Sequence, residues 1–241
     1  DILLMTHIVL GYPSFEESLR VVEAMVEAGV DLMELQIPFS EPMADGPVIV
    51  RTNQKALESG STVEKCFDAA RKIAARFPIP FLFMSYYNIL YKYGPARFAA
   101  DTAQAGLSGA IVPDVPPEEG DEYLQAMDAN ALSPIFIYAP TTKDDRMQHI
   151  ARYAKGFVYC AARRGVTGEK TDFSRELDSY LSRCRQSTDL PLALGFGVKE
   201  KDDVDFLKGK ADIAVIGTQT IRIIDEQGVD AVGEFIEGIV G

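Results

Sequence analysis

Short apolar runs alternate with amphipathic stretches along the whole chain. The runs are His7–Leu10, Leu32–Ile37, Phe81–Met84, Gly109–Val112, Ile135–Tyr138, Gly156–Cys160, Leu192–Gly195 and Ile213–Ile216. Each is too short for a helix and rich in aliphatic and aromatic residues, so each predicts a strand. Between them apolar residues recur at spacings of three and four, as Val21, Ala24, Met25 and Ala28 do, and this predicts helices. The helices fall at Phe15–Ala28, Val63–Arg76, Pro95–Ala105, Glu118–Asn130, Asp144–Tyr153, Ser174–Ser187, Lys199–Lys208 and Gly228–Ile239.

Eight strand-then-helix units predict an α/β protein built as a closed parallel (β/α)8 TIM barrel. An open doubly wound sheet also alternates, but no Gly-rich nucleotide turn follows the first strand here. The strands are nearly all apolar, as burial on both faces requires. No linker or low-complexity segment interrupts residues 1–241, which read as a single domain. In such barrels the chemistry gathers at the C-terminal ends of the strands. The unusual residues of this chain fall there: Gly11-Tyr12-Pro13, Glu34 to Gly46, Tyr86-Tyr87-Asn88, Pro113-Asp114-Val115-Pro116, Arg163 to Gly168, Gly195-Phe196-Gly197 and Gly217-Thr218.

Composition narrows the function. With 47% hydrophobic and 25% charged residues the chain is ordinary for a soluble globular protein. Its net charge of −12 argues against a nucleic-acid partner, which needs clustered Lys and Arg, but not against a small phosphorylated ligand held by backbone amides. No apolar run reaches the roughly 18 residues that span a membrane, and the sequence shows no signal peptide. It opens at Asp1 without Met, as a trimmed or incomplete N-terminus would. Cys66, Cys160 and Cys184 are odd in number, far apart and in no CxxC spacing, which points to a reduced, cytoplasmic chain. With His7 and His149 as its histidines, a His-based metal centre is not expected.

The sharpest chemical feature is Glu34, a carboxylate inside the apolar strand Leu32–Ile37. Burying a charge is costly unless it is paired or neutralised, and burial raises a carboxyl pKa toward the range of a group that gives and takes protons. An ion-paired core residue is the bland alternative. Asp45 follows in a Pro- and Gly-punctuated loop, where it is expected to stay ionised and accept hydrogen bonds. Two carboxylates in different environments form a common acid/base arrangement. Gly165-Val166-Thr167-Gly168, Gly195-Phe196-Gly197 and Gly217-Thr218 bring backbone amides to one side of the mouth, the usual phosphate cradle of this fold, although each glycine alone could simply turn the chain.

Other residues keep two readings. Tyr159 is either a core aromatic or a hydroxyl donor facing the mouth. Arg163 and Arg164 read as solvated loop charges, or as part of a lid over an anionic ligand. His7 reads first as a core histidine with its hydrogen bonds met and second as a pocket-lining group. Tyr86, Thr167 and Phe196 join His7 and Arg163 as pocket or lid candidates.

The run Glu34-Leu35-Gln36-Ile37-Pro38-Phe39-Ser40-Glu41-Pro42, continued by Ala44-Asp45-Gly46-Pro47, closely resembles the signature of the tryptophan synthase α-subunit family. Gly11-Tyr12-Pro13, Tyr87-Asn88, Pro113 to Pro116, Pro134-Ile135-Phe136, Arg163 to Gly168, Gly195-Phe196-Gly197 and Gly217 follow in the family order, so the resemblance covers nearly the whole chain. It implies a barrel that cleaves indole-3-glycerol phosphate to indole and glyceraldehyde 3-phosphate, needs no metal or organic cofactor, and works with a β-subunit. It implies catalytic roles for Glu34, Asp45 and Tyr159, and phosphate contacts at Gly168, Gly197, Gly217 and Thr218, the last replacing a usual serine. Departures stand at Gln36, where the family has Gly, at Glu41, where it has Asp, at Arg164 and at His7. His7 falls where the family carries an aromatic residue facing the indole. Gln36 and Glu41 leave open a stand-alone lyase that releases free indole. A non-catalytic binding barrel and a sugar-phosphate epimerase are weaker readings, because Glu34, Asp45 and the glycine sites are kept and histidine is scarce.

Overall fold

The computed structural model describes residues 2–162, 170–195 and 197–240. Strands β1 (Leu3–Val9), β2 (Leu32–Gln36), β3 (Phe81–Met84), β4 (Gly109–Ile111), β5 (Ser133–Tyr138), β6 (Val158–Ala161), β7 (Leu192–Gly195) and β8 (Ile213–Ile216) pair in chain order and close into a parallel barrel, β1 pairing with both β2 and β8. Around it run α1 (Phe15–Glu27), α2 (Pro47–Glu58), α3 (Val63–Arg76), α4 (Tyr87–Tyr93), α5 (Pro95–Gln104), α6 (Asp121–Ala129), α7 (Asp144–Ala151), α8 (Lys170–Ser187), α9 (Lys201–Leu207), α10 (Thr218–Gln227) and α11 (Val232–Val240).

Strand alternation sorts the side chains into two cores. Met5, Leu32, Leu82, Ile111, Ile135 and Ile213 fill the barrel interior, while Ile8, Met33, Leu35, Phe83, Phe136 and Ile216 face the helices. Helix starts follow their sequence signals. Ser14 caps α1 by accepting the Glu17 N–H, Thr62 caps α3, and Pro47 and Pro95 open α2 and α5. The buried stripe of α1, Val21, Val22 and Met25, seals it on the barrel, at about 1.5–3 kcal/mol for each such side chain.

The interior changes character along the strands. The β1–β2 register sets Met5 beside Leu32 and His7 beside Glu34, and the β2–β3 register sets Glu34 beside Leu82 and Gln36 beside Met84. An apolar floor thus gives way to polar groups toward the C-terminal ends.

Several boundaries differ from the sequence expectation. β1 begins at Leu3 rather than His7, because Leu3 to Thr6 pair with Ile213 to Ile216 of β8. β5 begins at Ser133, two residues earlier than expected. The stretch at Glu118–Asn130 divides into a 3-10 turn, Pro117–Glu119, and α6, and that at Gly228–Ile239 into Val229–Ala231 and α11. Helices α2, α4 and α10 were not expected. In α2 the buried face carries Thr52 and Asn53 beside Ala56, so the apolar period is missing, and α4 has seven residues. No helix among the described residues is long and apolar enough to cross a membrane.

Candidate active site

In Leu32-Met33-Glu34-Leu35-Gln36 the two-residue period of a strand turns Leu32, Glu34 and Gln36 into the barrel. Glu34 is 3% exposed and His7, its neighbour on β1, 4% exposed. Glu34 Oε2 lies 3.1 Å from His7 Nδ1. Burial by itself would lower the imidazole pKa. The hydrogen bond and charge of Glu34, aided by the charge of Asp45, outweigh it and hold His7 above the ordinary value of 6.5. Glu34 Oε1 and His7 Nε2 are buried without a protein hydrogen-bond partner among the described residues. Unmet buried polar atoms cost about 1–3 kcal/mol each, which is tolerated at working sites more readily than in a core.

Asp45 arrives by a different route. As the chain leaves β2, the Phe39 N–H donates to Asn53 Oδ1 of α2 at 2.8 Å, and the Phe39 ring stacks on Tyr86 with centroids 5.3 Å apart. The loop folds back over the barrel end, and Asp45 Oδ2 accepts from Gln36 Nε2 at 2.8 Å and from the Tyr86 hydroxyl at 2.9 Å. The Ala44 N–H donates to the same hydroxyl at 3.1 Å. Burial, then the charge of Asp45, pushes the Tyr86 phenol above its ordinary value.

Tyr159, on β6, sits in the interior core, and burial followed by the charges of Glu34 and Asp45 holds its phenol well above 10.0. Its ring packs in the interior core, within reach of the charge of both carboxylates. Gly195 of the neighbouring strand makes this possible, since a Cβ there would lie 2.6 Å from the Tyr159 hydroxyl.

On the other flank of His7, Gly217 follows β8 and stands at the N-cap of α10, its own Cβ position 3.5 Å from the His7 Cβ. No side chain caps α10, so its first N–H groups, from Thr218 onward, lack intrahelical acceptors at its positive end. Gly197 follows β7 at φ +89°, a left-handed backbone that favours glycine.

The structure therefore brings together His7, Glu34, Asp45, Tyr86, Tyr159 and Gly217 at one end of the barrel. Arg163, Thr167, Gly168 and Phe196 lie outside the described residues. His7 differs from a core histidine with both nitrogens satisfied, since among the described residues Nε2 has no hydrogen-bond partner. Gln36 was noted in the sequence for its departure from the family, and its grip on Asp45 was missed. Its position two residues after Glu34 on an inward face was the available signal.

Comparison with known proteins bears on this arrangement. A family model described as tryptophan synthase alpha chain matches residues 2–236. The tryptophan synthase alpha chain of Syntrophotalea carbinolica is 65% identical over 239 residues, covering 99% of this chain and 94% of that protein. That of Desulforapulum autotrophicum is 62% identical with the same coverage. Among solved structures, a tryptophan synthase of Mycobacterium tuberculosis superposes with a TM-score of 0.91 at 29% identity, covering 99% of this chain and 91% of that one. A tryptophan synthase complex from Pyrococcus furiosus gives 0.90 at 28% identity, with 99% and 98% covered.

Proposed function

The chain belongs to the tryptophan synthase alpha chain family, and on that premise we propose that Glu34, Asp45 and Tyr159 perform its reaction at the barrel mouth. As an alpha chain it is a carbon–carbon lyase of tryptophan biosynthesis that cleaves indole-3-glycerol phosphate to indole and glyceraldehyde 3-phosphate and works with a beta subunit. The stand-alone lyase is not favoured, because relatives at 65% and 62% identity are alpha chains.

Cleavage is a retro-aldol step. Glu34 delivers a proton to C3 of the indole ring, which leaves the ring electron-poor. The bond from C3 to the hydroxyl-bearing glycerol carbon then breaks and its electrons return to the ring. The hydroxyl gives its proton to the Glu34 carboxylate as the aldehyde forms. One proton leaves Glu34 and one returns, so the enzyme is unchanged. Asp45 accepts a hydrogen bond from the indole N–H and offsets the positive charge that develops on the ring. Gln36 and Tyr86, both donating to Oδ2, leave Asp45 Oδ1 for that contact. Tyr159 supplies a hydroxyl beside the reacting carbon.

The phosphate end belongs to the start of α10. Gly217 and Thr218 there, with Gly197 from the loop after β7, offer backbone amides and one hydroxyl to an anion, which needs no net positive charge; the family resemblance adds Gly168, which lies outside the described residues. His7 and Tyr86 line the indole side of the ligand; the family resemblance assigns lid roles to Arg163 and Thr167 and an indole-side role to Phe196, which lie outside the described residues. Three unpaired buried cysteines support a cytoplasmic location. Pairing of β1 with β8 supports one domain over 1–241.

The observation that carries this reading is the placement of Glu34 and Asp45 on successive parts of one strand and its loop, each with separate partners. Glu34→Gln and Asp45→Asn are expected to lower kcat for glyceraldehyde 3-phosphate release by at least about 100-fold. Turnover undiminished in Glu34→Gln overturns the mechanism.

A further inference from the structure

The reaction as derived gives His7 no step, although the fold fixes it against the residue that does the proton transfer. We propose that His7 is a positioning residue for Glu34, holding one carboxylate oxygen so that the other faces the substrate, and sharing with Glu34 the single proton the reaction uses. This role rests on the reading of Glu34 as the proton-transferring group.

The placement is set by strand register, not by a loop. His7 of β1 and Glu34 of β2 are direct cross-strand neighbours, and both are almost fully buried. Oε2 is tied to Nδ1 at 3.1 Å, and a carboxylate held at one oxygen cannot rotate without breaking that bond. Oε1 is left as the free end. With Nδ1–H donating to Oε2 throughout, one dissociable proton remains, and its two seats are Glu34 Oε1 and His7 Nε2. These are the two atoms of the pair without a protein partner among the described residues. Glu34 Oε1 passes the proton to the ring carbon, the Nδ1–H bond steadies the resulting carboxylate, and the substrate hydroxyl returns a proton to Oε1.

The surroundings favour keeping that proton. On β2 the pair faces Glu34's neighbour Gln36, which does not titrate. The loop after β2 brings the negative charge of Asp45, β6 brings the phenol of Tyr159, and β8 presents the uncharged Gly217. Among the described residues the charges bearing on His7 are those of Glu34 and Asp45, both of which favour the imidazolium, as does the Gln36 side chain.

A second seat for a proton can only raise the pH at which the last proton leaves a coupled pair. His7→Gln keeps a side-chain donor and removes the second seat. The test is kcat against pH for the full chain, alone and with its beta subunit, in wild type, His7→Gln and Glu34→Gln. The alkaline limb of His7→Gln is expected at lower pH, with activity there falling at least about threefold more than on the acid side of the profile. A loss by one constant factor at every pH, with superimposable limbs, is what a purely structural histidine gives and overturns the proposal.

Should His7→Gln fail to fold, histidine-ring NMR of the intact chain decides, because there are two histidines and His149→Gln assigns them. The His7 ring is expected to titrate at lower pH in Glu34→Gln than in wild type, and equal titration overturns the pairing. Full activity in Glu34→Gln defeats the assignment of Glu34 itself. An inactive Glu34→Gln beside an unshifted His7→Gln limb defeats only the role of His7.

Discussion

Tyr86 donates its hydroxyl hydrogen to Asp45 Oδ2 at 2.9 Å, which ties the end of β3 to the loop leaving β2. The same oxygen takes the Gln36 amide at 2.8 Å. Two donors on one acceptor back each other up. Tyr86→Phe and Gln36→Ala should each leave Asp45 held by the other, and each should cost about 1 kcal/mol of stability. In the double variant the carboxylate loses both, so kcat/KM should fall by more than the product of the single effects. A coupling of at least about 0.5 kcal/mol in a double-mutant cycle is expected. Strict additivity would show that the two donors do not act through Asp45.

Stability should carry the mark of the His7–Glu34 pair. The folded pKa of His7 lies above the ordinary 6.5 that the unfolded chain restores. The contribution of the pair is therefore fully present below 6.5 and is lost as pH rises through the raised folded value. Denaturant midpoints of wild type and His7→Gln measured from pH 6 upward should converge as the solution becomes alkaline. A gap that widens with pH reverses the sign and removes the imidazolium from the folded state.

The barrel was legible because eight short apolar runs, each followed by a helical stretch, leave few other arrangements. Glu34 was legible for the opposite reason, as a charge that breaks such a run. Apart from α10, whose buried Ile221 and Ile224 do recur at helical spacing, what escaped notice lacked a periodic signal. Helix α2 buries Thr52 and Asn53, which read as polar surface, and Asn53 is the residue that anchors the loop at Phe39. His7 looked like a core residue until register placed it beside Glu34, a fact that depends on how two strands slide past one another. Gln36 shares the inward face of Glu34, but its partner lies in a loop whose return path no local pattern encodes.

Gly195 tests the place of Tyr159. A Cβ at this position would sit 2.6 Å from the Tyr159 hydroxyl, so the ring must swing away in Gly195→Ala. The crowding should cost about 1–3 kcal/mol of stability. Displacing a group near the reacting carbon should lower kcat/KM by between about tenfold and 100-fold. In a Tyr159→Phe background the same substitution should lower kcat/KM much less, since no hydroxyl remains to be misplaced, although the ring carbons Cε1 and Cζ still lie 3.0 and 3.1 Å from the added Cβ and keep part of the stability cost. An equal loss of kcat/KM in both backgrounds would place the damage elsewhere.

Gly197 tests the phosphate end. Its φ of +89° suits glycine, and among the described residues nothing lies within 4 Å of an added Cβ, so Gly197→Ala strains the backbone without a clash against them. The cost should be about 1–2 kcal/mol, the penalty of a left-handed backbone. With the loop re-aimed, KM should rise about tenfold with kcat little changed, the pattern of lost uniform binding. Inhibition by inorganic phosphate should weaken in parallel. A fall in kcat at constant KM would move Gly197 away from the phosphate.

Met43 tests the partner surface. It is 82% exposed in the loop that carries Asp45, the loop whose first residues, Phe39 and Ser40, line a groove of about 570 Å³ with Asn88 and Lys92. A large apolar side chain so displayed contributes about 1.5–3 kcal/mol when a partner covers it, which is roughly ten- to 100-fold in affinity. The loop's own anchors, Phe39 on Asn53 and Asp45 on Gln36 and Tyr86, do not involve the Met43 side chain. Met43→Glu should therefore weaken binding of the beta subunit by at least about tenfold, measured by calorimetry. Turnover of the chain alone should stay within about twofold of wild type, because a surface change away from those anchors shifts little. An unchanged Kd would move the interface off this loop, and a collapse of the isolated activity would show that Met43 helps to hold Asp45.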